Sequence, residues 1–253
     1  MKEVLLKGQG LCKTFPQGNG KNTVLDRLDV EIYGGDFTVI MGASGAGKST
    51  LLYALSGMDS ISGGEVLYKD RPISGLSEQK MAALRGQEFG FVFQQTHLVS
   101  NLTLLENVLV AGAVGKKYAP AELRERALSL LTRMGVEGAK DRFPSQASGG
   151  EAQREAIARA MIGEPGLLFA DEPTGALNRQ SSGEVLALLS DLHEKGQSIL
   201  MVTHDVRAAS RGNRILYMED GRILSELALP DFRGADAQER EERVNAWLSS
   251  LRW

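Results

Sequence analysis

The stretch Gly42-Ala43-Ser44-Gly45-Ala46-Gly47-Lys48-Ser49 decides the reading of this chain. It fits G-x-x-x-x-G-K-[ST], the pattern of a phosphate-binding loop. Phe37-Thr38-Val39-Ile40-Met41 before it is a short apolar run of strand type, and Ser49 to Ser56 after it reads as a helix. Gly45 and Gly47 let the backbone turn without a Cβ, so successive N–H groups can converge on an anion. The helix that starts near Lys48 turns its positive end to the same place. Lys48 adds a full positive charge for the β- and γ-phosphates of a nucleotide, and Ser49 offers a hydroxyl to Mg²⁺. Gly42 to Thr50 is therefore the candidate nucleotide-binding segment. A glycine-rich turn that binds nothing is the bland alternative; the agreement of strand, loop and helix argues against it.

Composition bounds the rest. The 253 residues allow one large domain or two modest lobes. Hydrophobic residues make up 42% and charged residues 24%, enough to bury a core. Lys+Arg is 29 against Asp+Glu 32, a net charge of -3, which gives no electrostatic case for nucleic acid as a partner. A single cysteine, Cys12, excludes an internal disulfide and fits a reducing compartment. His97, His193 and His204 are scattered, without zinc spacing. No apolar run approaches the ~20 residues of a membrane span. Met1-Lys2-Glu3-Val4 opens no long hydrophobic region, so no signal peptide is expected. A soluble, cytoplasmic chain is the expectation.

Outward from the loop, strands and helices alternate. Residues 3 to 33 read as strands broken by a turn at Gln17-Gly18-Asn19-Gly20-Lys21-Asn22. Ser62-Gly63-Gly64 reads as a break, Glu65 to Tyr68 as a strand, Lys69-Asp70-Arg71 as a turn, and Ser77 to Leu84 as a helix capped by Ser77. Phe89 to Phe93 is a strand ending at Gln94-Gln95. From there to Ile162 the pattern is helical: a segment through Leu102, Leu105 and Val108-Leu109, a second from Ala121 to Met134 behind Pro120, a third from Glu151 to Ile162. Strands resume at Gly166 to Ala170 and Gln197 to Val202, around a helix at Val185 to Glu194. A hairpin turn at Asp220-Gly221 joins Arg214–Met218 to Arg222–Leu224. Such alternation argues a largely parallel sheet covered on both faces. The tail from Ala235 to Trp253 carries Val244, Trp247-Leu248 and Leu251 at helical spacing. Glu239, Glu242, Arg243 and Arg252 lie off that stripe and form no basic face, so the helix is expected to pack on the body rather than on a membrane.

Two further stretches carry chemistry. Leu167-Leu168-Phe169-Ala170-Asp171-Glu172 is an apolar strand that delivers two carboxylates to a sheet's carboxyl edge, where α/β sheets bind ligands. Asp171 would hold Mg²⁺, and Glu172 would polarise the water that attacks the γ-phosphate. Ala147-Ser148-Gly149-Gly150-Glu151 puts a hydroxyl and two glycines before a helix, a second anion-binding device. Two copies meeting head to tail could close the second device of one on the nucleotide held by the first device of the other.

In these motifs the chain resembles the nucleotide-binding subunits of ABC transporters, from near the N-terminus to about Leu224. The motifs stand in the family's order: the loop Gly42–Ser49, the Q-loop Gln94 in Phe91-Val92-Phe93-Gln94, the signature Ser148-Gly149-Gly150-Glu151, the acids Asp171 and Glu172, the D-loop Gly175-Ala176-Leu177-Asn178, and the switch His204 in Val202-Thr203-His204-Asp205. The resemblance implies an α/β fold, a P-loop NTPase with a RecA-like core, an antiparallel β subdomain and an inserted α-helical subdomain. It divides the chain into an ATPase domain at 1–227, with core 1–94 and 163–227 and a helical lobe at 95–162, and a tail at 228–253. It implies that Phe15 stacks on adenine, that Gln94 reaches Mg²⁺ or the attacking water, that Ser148, Gly149 and Gly150 clamp the γ-phosphate in trans, and that His204 contacts that phosphate.

Three positions depart from the family. Ala147 stands where Leu is usual, Asn178 where Asp is usual, and Phe15 where Tyr is commoner; none of these removes a catalytic group. Within the family, Phe91 to Gln94, Leu102 to Val108 and Phe169 to Gly175 resemble a bacterial subgroup that serves lipoprotein release, macrolide efflux and peptide-antibiotic (bacitracin-type) resistance. The resemblance then implies ATP and Mg²⁺, an integral membrane permease, an ATP-dependent head-to-tail dimer and a place on the cytoplasmic face of the membrane. A cell-division ATPase that signals mechanically is the alternative output. A soluble DNA-repair or translation ATPase would carry coiled-coil insertions, zinc modules or a second nucleotide domain, none of which is seen.

Overall fold

Long alternating runs make the N-terminal hairpin. β1 (Val4–Gln17) and β2 (Gly20–Tyr33) pair antiparallel, and bulges in their register let the ribbon bend. β4 (Gly63–Tyr68) and β5 (Arg71–Pro72) extend this sheet in the order β2-β1-β4-β5. The computed structural model describes residues 2–18, 20–115 and 117–251. Asn19 of the expected turn, and Met1, Arg252 and Trp253 at the termini, lie outside the described residues.

The described chain forms two compact units, Met1–Met81 with His193–Trp253, and Ala82–Leu192. In the first unit, β3 (Phe37–Met41) is buried along its whole length and lies between two parallel partners, β8 (Ser198–Val202) and β9 (Arg214–Glu219). A strand with no exposed face needs apolar side chains on both sides, which explains why Phe-Thr-Val-Ile-Met shows no alternation. β10 (Arg222–Ala228) runs antiparallel to β9 and is the outer strand. It alternates exposed and half-buried residues, with Leu224 55% exposed, and the Arg214 guanidinium binds both carboxylate oxygens of Glu226 at 2.9 Å. Helix α1 (Lys48–Leu55) packs Leu51, Leu52, Ala54 and Leu55 inward. Two more helices follow β8: α7 (Val206–Ala209) and α8 (Ala237–Ser250), the second burying Val244 and Leu248.

The second unit holds the parallel pair β6 (Phe89–Phe93) and β7 (Leu167–Asp171). Around them lie α3 (Leu104–Val114), α4 (Pro120–Arg133), α5 (Gly149–Met161) and most of α6 (Arg179–Glu194). Thr103 caps α3 in a reciprocal box with Glu106, and Pro120 opens α4 at its first turn. Phe169 stacks on Phe91 at 5.3 Å and meets Phe89 edge-on at 5.1 Å, which locks the strand pair from one face.

Some boundaries shift from the sequence reading, each for a local reason. Gly63 and Gly64 do not break the chain. They open β4, because at φ 87 Gly64 lies so close to Gly10 that a Cβ would sit 2.4 Å from its carbonyl oxygen. Helix α2 (Glu78–Glu88) outruns its expected end at Leu84: Arg85 and Gln87 are good helix formers, and the single Gly86 costs only about 1 kcal/mol. α6 begins six residues earlier than Val185 because Asn178 caps it, its Oδ1 accepting the Ser181 N–H at 2.9 Å. α7 has only four residues, too short for periodicity to show.

Candidate active site

In the first unit, three glycines build the phosphate loop. Gly42, Gly45 and Gly47 take φ values of 155, 85 and 98. A Cβ on Gly42 would sit 2.0 Å from the Met218 carbonyl oxygen, and one on Gly47 2.9 Å from that of Val24. Glycine is therefore required at both positions by close backbone approach. Ala43, Ser44 and Gly45 are exposed, while Ala46 is buried and its carbonyl accepts the Gly221 N–H at 3.2 Å. The loop is thus pinned by the β9–β10 hairpin and presents its tip to solvent. Gly47 starts α1 with no capping side chain, and no acid lies in the first turn. Lys48 Nζ reaches back to the Gly42 and Ala43 carbonyls at 2.8 and 2.9 Å, so its charge lies over the tip. Ser49 and Thr50 follow on α1, both half-buried.

Two more sequence candidates belong to this unit. Phe15 on β1 is 39% exposed, with the Lys13 ammonium over its ring, 4.9 Å from the centroid. His204 is exposed just beyond β8. Its predecessor Thr203 is fully buried, its N–H bonded to Ile40 at 3.1 Å; its successor Asp205 caps α7 by accepting the Arg207 N–H at 2.8 Å. The histidine therefore stands between two fixed backbone points.

The second unit carries the other candidates. Asp171, 9% exposed, ends β7 opposite Phe93 of β6. Glu172 turns the chain with φ 46, a left-handed conformation that costs a non-glycine residue energy and clusters at functional positions. Its carbonyl accepts the Gly175 N–H at 3.0 Å, and a Cβ on Gly175 would lie 2.9 Å from Gln94 Nε2. Gln94 thus lies against the D-loop glycine directly after the acid pair.

Ser148 caps α5 by a reciprocal box: its hydroxyl accepts the Glu151 N–H at 3.2 Å, and its own N–H donates to Glu151 Oε2 at 2.8 Å. These bonds, from the Ser148 backbone first and its hydroxyl second, hold the Glu151 carboxyl below its usual range. Gly149 and Gly150 follow. A Cβ on Gly150 would meet Ser181 Oγ at 2.7 Å, so this glycine lies close over the start of α6.

Sequence reasoning missed three residues on α5. Gln153 donates to the Phe93 carbonyl at 2.9 Å, and Arg159 donates to those of Thr96 and His97 at 2.6 and 2.9 Å. Together they strap the Gln94 segment to the helix that carries the signature. Glu155, between them, is fully buried, and neither carboxylate oxygen has a hydrogen-bond partner. Burial pushes its carboxyl up to about 8, against a smaller downward pull from Arg159. The inward face of α5 was legible from its periodicity; that a carboxylate would occupy it was not.

A glycine-walled loop opening a lysine-bearing helix defines a nucleotide-binding protein of the P-loop class. Comparison with known proteins places it further. The ABC transporter family model matches residues 25–175. The chain is 36% identical to the ATP-binding cassette MJ0796, solved as a dimer in a post-hydrolysis state bound to ADP and Pi; the match covers 90% of this chain and 100% of that one, with a TM-score of 0.84. A second dimeric structure of MJ0796, described as a bacterial ABC transporter cassette, matches equally. cbiO1 from Clostridium perfringens, part of the ABC transporter complex cbiONQ, is 29% identical over 99% of this chain and 98% of its own, with a TM-score of 0.79. The chain belongs to the ABC transporter family, as an ATP-binding cassette with ATPase activity.

Proposed function

We propose that the chain is the ATP-hydrolysing subunit of a bacterial ABC transporter complex that exports or extracts a peptide antibiotic, a lipoprotein or another amphiphile through a separate permease. The observation that carries the hydrolytic part is the acid pair closing β7, with Glu172 held in a left-handed turn. In this reading Gly42 to Thr50 cradle the triphosphate, Lys48 binds its β- and γ-phosphates, and Phe15 stacks on adenine. Glu172 orients and polarises the attacking water. Gln94 and His204 contact the water and the γ-phosphate. Ser148, Gly149, Gly150 and Glu151 belong to the site completed by a second copy, head to tail; that MJ0796 is dimeric supports a pairing of two copies.

Ser49, Gln94 and Asp171 all offer oxygen donors, the set Mg²⁺ prefers, and among the described residues no group of three or more His, Cys, Asp and Glu is gathered for a metal. In this reading the cation would be held by these side chains together with the nucleotide's own phosphates. Bound there, it would neutralise charge on the β- and γ-phosphates.

The permease reading rests on the sequence subgroup and on exposed apolar side chains in the second unit. Val99, Val110 and Val114 are 47%, 51% and 69% exposed, and His97 is exposed; Leu98 and Leu102 are half-buried and Leu105 is core. No helix among the described residues is long and apolar enough to cross a membrane. Bound to that partner, the chain would sit on the cytoplasmic face of the cell membrane.

The test is Glu172→Gln. It keeps shape and removes most basicity, so hydrolysis should fall by ~10²–10⁴-fold while ATP binding survives. The variant should run as a dimer in ATP and a monomer in ADP. Lys48→Ala should lose both nucleotide affinity and the dimer. Wild-type hydrolysis by Glu172→Gln in the assembled complex sinks the assignment; copurified membrane proteins identify the permease.

A further inference from the structure

His204 is followed by a short arch that returns to β3. Its first foot is the buried Thr203, bonded to Ile40. Its second is Gly212–Asn213. A Cβ on Gly212 would lie 2.6 Å from Val39 Cγ2 and 2.7 Å from the Phe37 carbonyl oxygen, and the Asn213 N–H donates to Phe37 at 3.1 Å. Between the feet lies α7, whose four residues are too few to hold themselves. Its C-terminal side is gripped from outside. Arg240 of α8, 2% exposed, donates Nε to the Ser210 carbonyl at 2.7 Å, Nη2 to that of Gly212 at 2.6 Å and Nη1 to that of Pro230 at 2.6 Å. The Phe232 ring lies 5.5 Å from the guanidinium and packs 4.2 Å from that of Arg211 in the arch. Only a guanidinium offers this many donors in one fixed plane, and a positive charge suits the carbonyl end of a helix.

We propose that Arg240 is a positioning residue for ATP hydrolysis: by holding the carbonyls that follow α7, it fixes the arch and so the direction in which His204 faces. The inference rests on the reading of His204 as a γ-phosphate contact. It gives the C-terminal helix a role in the reaction. α8 is anchored on the body by Val244 and Leu248, and through Arg240 it transmits that anchorage to the switch segment.

The experiment compares the unmodified chain with Arg240→Ala, Arg240→Lys, His204→Ala and the double variant Arg240→Ala/His204→Ala. The measurements are kcat and KM for ATP per folded protein, and hydrogen exchange at residues 203–212. Arg240→Ala should lower kcat by roughly tenfold with KM within about twofold, because the lost contact acts on the reacting phosphate rather than on binding. Exchange in the arch should quicken. Lysine should restore part of both. The double variant should be no slower than His204→Ala, since both changes remove one function. A wild-type kcat in Arg240→Ala despite faster exchange, or losses that multiply in the double variant, overturns the proposal and leaves the His204 reading intact. A wild-type kcat in His204→Ala overturns that reading, and this inference with it. If Arg240→Ala does not fold, Arg240→Lys decides by the same readouts: faster exchange with lower kcat supports the role, and faster exchange with unchanged kcat refutes it.

Discussion

The two helix starts that the sequence marks as anion devices are built differently. α1 begins at Gly47 with no capping side chain and no acid in its first turn, behind a loop whose glycines are required by neighbouring backbone. α5 begins at Ser148 with a full capping box, and Glu151 already answers the helix's positive end. The first is arranged for an anion by its backbone geometry and the Lys48 charge. In the second, the Glu151 carboxylate and the Ser148 hydroxyl already take up the Ser148 and Glu151 N–H groups and offset part of the helix's positive end. The contrast suits a site in which one copy holds the nucleotide and another closes on it.

Glycine substitutions should break this contrast most sharply. Gly42→Ala sets a Cβ 2.0 Å from the Met218 carbonyl oxygen. The strain should cost the fold about 3 kcal/mol or more, at or above the upper end of overpacking, and ATP affinity should fall with the distorted loop. Gly149→Ala meets only Leu177 Cδ2 at 3.5 Å, an ordinary contact. In a single copy it should leave ATP affinity within about twofold and stability within about 1 kcal/mol, since the phosphate contact proposed for Gly149 is made to the other copy's nucleotide. Titration calorimetry of both variants decides; equal losses of affinity would erase the distinction.

The buried acid nearly two turns into α5 gives the next effect. Glu155 stays protonated in the fold up to about pH 8, whereas the unfolded chain ionises near 4.5. Between these values the unfolded state binds fewer protons, so stability falls as pH rises, by about 1.4 kcal/mol per unit. Glu155→Val removes that slope. Its advantage over the wild type should grow from pH 5 to pH 8, reaching roughly 3 kcal/mol near pH 7. Denaturation midpoints that stay parallel across this range would show that Glu155 is not buried neutral.

The smallest effect is at the cap. Glu151→Ala opens the box and should cost about 1 kcal/mol at pH 7. Because hydrogen bonds depress the Glu151 carboxyl, this contribution is present above its unfolded pKa and is lost as pH falls through the lower folded value. The difference between wild type and variant in urea should therefore shrink in acid; a difference that persists unchanged there would assign the loss to something other than the carboxylate.

Much of this was legible in the sequence where the chemistry is local. The run Phe37 to Met41 followed by glycines and Lys48 dictates strand, loop and helix from residue types alone, and Asp220-Gly221 dictates its turn, adopting φ 46 and 74. Asn178 could be read as a departure from the family, but its work as the cap of α6 appears only once the Ser181 N–H is placed beside it. Gln153, Glu155, Arg159 and Arg240 were illegible for a common reason. Each is a polar residue whose partners are backbone carbonyls far along the chain, or absent, and helical periodicity says only that such positions face inward.

The outer strand β10 has a consequence for how the protein behaves in bulk. A strand at the end of a sheet can offer backbone groups to another chain, and Ile223, Leu224 and Leu227 would make a sticky template. The strand carries Arg222 and Glu226 among them. Glu226 is clamped by Arg214, and Arg222 pairs with Asp26. These charges act as gatekeepers against edge-to-edge aggregation, so substitutions that look harmless to catalysis, such as Glu226 to an aliphatic residue, threaten solubility before they threaten the site.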